Sequence, residues 1–74
     1  MENNLVSVDE KIHIVNQFMK NLAYSRYNVE LSLMLENSVS SPNQNNVDSF
    51  TTQLQEIDDK LAALQQELVE LEGQ

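Results

Sequence analysis

Residues 47–71 read VDSFTTQLQEIDDKLAALQQELVEL. The apolar positions within them are Val47, Phe50, Leu54, Ile57, Leu61, Leu64, Leu68 and Leu71, and the steps between them alternate 3 and 4 without a break. This is a heptad seam, with Val47, Leu54, Leu61 and Leu68 at a and Phe50, Ile57, Leu64 and Leu71 at d. A mean step of 3.5 residues keeps such a seam on one side of a gently supercoiled helix. The seam has to be buried against another helix, so this stretch decides the fold: the chain is all-α and its helices pack in coiled-coil fashion.

Working toward the N-terminus, residues 37–46 (NSVSSPNQNN) form the one clear break. Pro42 is excluded from a helix interior and pushes Ser41 away from helical angles, while Ser and Asn favour local turns. The expectation is a loop over 37–46, with Asn45 or Asn46 capping a second helix of about 47–72. Gly73 is a suitable stop. Glu67, Glu70 and Glu72 crowd the C-terminal end of that helix, where they oppose its dipole and call for solvent or a basic partner.

Before the loop, Ser7-Val8-Asp9-Glu10 reads as a capping box that opens a first helix of about 8–36. Its main stripe is Val8, Ile12, Val15, Met19, Leu22, Arg26, Val29 and Leu33, again in steps of 4 and 3. Ile14 and Phe18 widen this stripe to one side, more than a two-stranded seam needs, as suits a helix that touches two neighbours in a four-helix bundle. A second apolar line, Tyr24, Tyr27, Leu31 and Leu35 with Met34 beside it, falls on the opposite side of the wheel. A helix apolar on two sides has two sides to bury, and this line is a candidate partner face. The two helices are nearly equal, about 43 and 39 Å at ~1.5 Å per residue. The reading is a single domain over 1–74: an antiparallel two-helix hairpin that assembles into a helical bundle or coiled coil. The alternative is a parallel coiled coil of the second helix with the first packed outside.

Size and composition point the same way. A lone core of 74 residues rarely suffices without disulfides, a metal or a partner chain. There is no cysteine and one histidine, His13, so thiolate and histidine-rich metal sites within one chain are excluded and oligomerisation is the staple that remains. The expected partners are further copies of the chain or other protein subunits. A net charge of −8 repels phosphate backbones and lacks the basic face that anionic membranes attract, so neither nucleic acid nor membrane is expected as a partner. No apolar run approaches a membrane span, and Met1-Glu2-Asn3-Asn4 lacks the positive region of a signal peptide. The expected location is the cytoplasm; export inside a particle would leave no mark.

Candidates for chemistry are few. Arg26 interrupts the apolar stripe and, in a hairpin folded about the loop, comes level with Ile57, where an ion pair to Asp58 or to Glu30 would fix register. His13 reads as a bystander on the outer line. Asp58 and Asp59 are adjacent and point in different directions on a helix. No nucleophile, base and oxyanion site can be assembled, so no catalysis, cofactor or metal is expected.

The segments Asp9-Glu10-Lys11-Ile12, Tyr27-Asn28-Val29-Glu30-Leu31-Ser32-Leu33, Glu36-Asn37-Ser38-Val39-Ser40-Ser41-Pro42 and Leu61-Ala62-Ala63-Leu64 resemble small helical-hairpin proteins of tailed bacteriophages. The resemblance spans most of the chain, brings no catalytic residues, and implies a virion or assembly role. Two functions follow as expectations: a non-enzymatic structural or assembly protein that oligomerises or docks through its helices, or a small acidic regulator that binds and blocks a basic protein.

Overall fold

In a computed structural model that describes residues 5–74, the chain is two α-helices, α1 (Val8–Asn37) and α2 (Gln44–Glu72), packed along their length as an antiparallel hairpin, with no strand among the described residues. The hairpin is a rod with extents of 57 × 18 × 15 Å.

Each helix starts on a side-chain cap. The Ser7 hydroxyl accepts the Glu10 N–H at 3.1 Å, and the Glu10 carboxylate accepts the Ser7 N–H at 3.1 Å, so two backbone donors that the helix cannot use are paired reciprocally. The Ser7 backbone N–H, and after it the Ser7 side chain, favour the charged carboxylate and hold the Glu10 pKa below its ordinary value. At the far end of α1, Ser38 turns its N–H and its hydroxyl onto the Leu35 carbonyl, at 3.2 and 2.7 Å.

The loop is shorter than the sequence suggests. α2 begins at Gln44 rather than Val47, and its cap is Asn43 rather than Asn45 or Asn46. Asn43 Oδ1 accepts the N–H groups of Asn45 and Asn46 at 2.9 and 3.3 Å. Pro42 stands immediately before the cap, where its restricted backbone interrupts nothing. The connection is therefore residues 38–43.

Every seam position of α2, from Val47 to Leu71, is buried or half-buried, and every other residue of that helix is exposed. The α1 stripe is likewise covered: Val15 is buried, and Val8, Ile12, Met19, Leu22, Arg26, Val29 and Leu33 are half-buried. The α2 seam is thus covered by α1 of the same chain, as the antiparallel hairpin requires and as a parallel coil of the second helix with the first packed outside does not. The core is thin. Val15, Ile57 and Leu71 are its buried residues, and among the described residues no side chain is fully enclosed.

Candidate functional site

The hairpin leaves two apolar surfaces in solvent. The first is a groove along one flank, where Phe18 and Leu22 of α1 face Ala63 and Leu64 of α2 and Asn21, Ser25 and Lys60 complete the walls, around about 540 Å³ of open space. Phe18 leaves 59% of its surface exposed there, and Ile14, one turn before it, is exposed as well. The groove exists because Phe18 and Ile14 lie beside the α1 stripe rather than on it. The facing position of α2 is alanine, too short to cover a phenyl ring.

The second surface is the outer side of α1. Tyr24, Tyr27 and Leu35 are each 61% exposed, and Met34 is exposed beside them. Leu31, the fifth residue of this candidate face, is half-buried. Lys20 Nζ lies 5.9 Å from the centre of the Tyr24 ring, a cation–π contact at an exposed site. His13 is exposed further along.

Between these surfaces sits the polar contact that ties the helices together. Arg26 Nε donates to Asp58 Oδ1 at 2.8 Å, its Nη2 reaches Asp58 Oδ2 at 3.4 Å, and its Nη1 pairs with Glu30 on the next turn. The guanidinium hydrogen bond lowers the Asp58 pKa, and the same bond raises that of Arg26. Arg26 and Asp58 side chains stay 36% and 47% exposed, so the pair lies at the edge of the seam with solvent on one side. It joins residues of both helices at one level and thereby marks the register.

A second polar clamp was not evident from the pattern of apolar residues. Glu36 Oε2 accepts the Asn43 N–H at 2.9 Å, and Glu36 Oε1 accepts from the Asn46 side chain at 3.0 Å. Glu36 lies one step of three beyond Leu33 and so continues the α1 stripe with a carboxylate. That spacing was the available signal.

Among the described residues no group of three or more His, Cys, Asp or Glu side chains is placed to hold a metal ion, and no helix is long and apolar enough to cross a membrane. The chain matches no known protein family, no curated protein and no solved structure.

Proposed function

We propose that this chain is a non-enzymatic structural or assembly protein whose helices complete their burial against further helices, of its own kind or of other subunits. One observation carries the reading: a chain with three buried residues among those described leaves Phe18, Tyr24, Tyr27, Met34 and Leu35 largely in solvent. Apolar surface of that size beside so small a core is what partner helices cover. The mechanism is burial of apolar area, at roughly 25 cal/mol per Å² before the costs of association. The resemblance to tailed-phage hairpin proteins implies a virion as the setting.

Light scattering of the pure chain over a wide concentration range tests this, together with thermal melting followed by circular dichroism. The expected result is a mass above that of one chain and a melting temperature that rises with concentration. Changing Leu61 and Leu64 together to Asp abolishes both. A highly helical monomer with cooperative, concentration-independent melting would mean that the hairpin is complete alone, and the reading would fall.

A second reading is supported by the charge of α2. That helix carries seven acids against Lys60, and its acids are exposed. A small acidic regulator that blocks a basic protein would use this face. Its affinity would fall steeply with salt, because exposed charges are screened, whereas association through the apolar surfaces would not.

A further inference from the structure

The geometry points to a second copy of this chain as the occupant of the Phe18 groove, closing a two-fold four-helix bundle in which α1 of each copy lies against α2 of the other. This inference rests on the assembly reading above and adds to it the partner, the surface and the arrangement.

Area supplies the first argument. A folded single chain of 8.5 kDa ordinarily exposes about 4,650 Å². This one exposes 5661 Å², an excess of about 1,000 Å² over that expectation. Each partner in a stable protein–protein interface gives up ~800 Å². A rod of 57 × 18 × 15 Å thus has surface enough to give one interface of that size per chain.

Shape and charge select the groove and the arrangement. The groove has walls from both helices and so can receive a helix, whereas Tyr24 and Tyr27 project from the outer side of α1 alone. Helices in a four-helix bundle meet two neighbours at roughly right angles around their axes. On α1 the Ile14–Phe18 flank lies about a quarter-turn from the stripe that faces α2, at ~100° per residue.

Charge then decides which helix meets which. Between Lys11 and Val29, α1 carries Lys11, Lys20 and Arg26 and no acid, whereas α2 carries seven acids. Setting α2 against α2 of the copy would place acids on acids. Setting α1 against α2 of the copy avoids that and brings the unopposed carboxylates near the end of α2, Glu67 and Glu70, toward Lys11 of the copy. Isologous contact of this kind is the commonest symmetry of soluble oligomers.

The test is the mass of the full chain by sedimentation equilibrium, with Phe18→Glu and Ala63→Glu on the two walls of the groove. Both positions are exposed within the hairpin, and circular dichroism reports whether each variant keeps its helices. The inference expects a wild-type dimer and, for each variant, a dissociation constant raised at least 100-fold at undiminished helicity. Tyr27→Ser combined with Leu35→Ser, on the outer side of α1, leaves the dimer intact. A wild-type dimer or larger oligomer that either groove variant leaves unchanged would overturn the groove while sparing the assembly reading. A wild-type helical monomer at every concentration would overturn both.

Discussion

The Glu36 carboxylate, in the last turn of α1, accepts the backbone N–H of Asn43, the residue that caps α2, at 2.9 Å. One side chain of the outgoing helix therefore fixes where the returning helix begins. The charged form of Glu36 is favoured first by that backbone donor and then by the Asn46 side chain, so its pKa is lowered on folding. A lowered pKa means that the contribution to stability is fully present above the ordinary glutamate range and is lost as pH falls through the folded value. Glu36→Gln should lower the melting temperature at neutral pH, and the gap from wild type should close as the solution is acidified below that range. A gap that persists unchanged in acid would mean that the carboxylate charge contributes nothing at this turn.

The Arg26–Asp58 pair is expected to set register rather than to add much stability, since exposed pairs contribute little and both partners keep contact with solvent. Asp58→Asn should be tolerated with a small drop in midpoint, because Glu30 still neutralises the guanidinium. Arg26→Met combined with Asp58→Leu, which replaces the pair by apolar side chains, should restore or exceed wild-type stability. A double-mutant cycle in urea reads the coupling directly. A double variant far less stable than either single one would assign the pair a larger share of the fold.

Ile57 is the buried seam residue at the level of that pair. Truncation to Ala there should cost about 2–5 kcal/mol of hairpin stability, by lost transfer energy and the space left behind. The same measurement on Ala63→Ser, nearly two turns along on the exposed flank, should move stability by less than about 0.5 kcal/mol. Equal losses at the two sites would mean that the flank is as fully packed as the seam.

Gly73 ends α2 without using the freedom peculiar to glycine. Its φ is −83°, and its N–H reaches the Val69 carbonyl at 3.1 Å. A Cβ at this position would meet the Val69 carbonyl oxygen at 3.5 Å, an ordinary contact. Gly73→Ala should therefore be neutral or slightly stabilising in thermal melts, by restricting the unfolded chain. A clear loss would mean that the helix end relies on a backbone state that alanine resists.

The seam of α2 was legible because a period of 3.5 repeated over eight apolar positions admits one helical face, and the covered residues of that helix are those eight. The α1 stripe was legible for the same reason, even across Arg26, since a single charge does not break the spacing. Glu36 was not, because a carboxylate at a seam position has no visible purpose until the loop brings Asn43 to it. The start of α2 was misplaced for a related cause. Asn43, Gln44, Asn45 and Asn46 have turn-forming composition, yet a cap followed by a polar first turn has it too. What separates the two cases is the hydrogen bonding of Asn43 Oδ1 with the N–H groups that follow, which composition does not encode.

Leu71 is only 3% exposed, the best covered residue of the core, yet it lies at the open end of the hairpin, far from the loop. Because the helices run antiparallel, the start of α1 and the end of α2 emerge side by side at that end. A load that draws these two points apart peels the seam one level at a time, and Leu71 is the first latch it meets. A load applied between the loop and the open end runs instead along the helices themselves and does not pull the seam apart. The molecule should open at low force like a zipper in the first geometry and resist in the second, with Leu71 setting the threshold at which peeling begins.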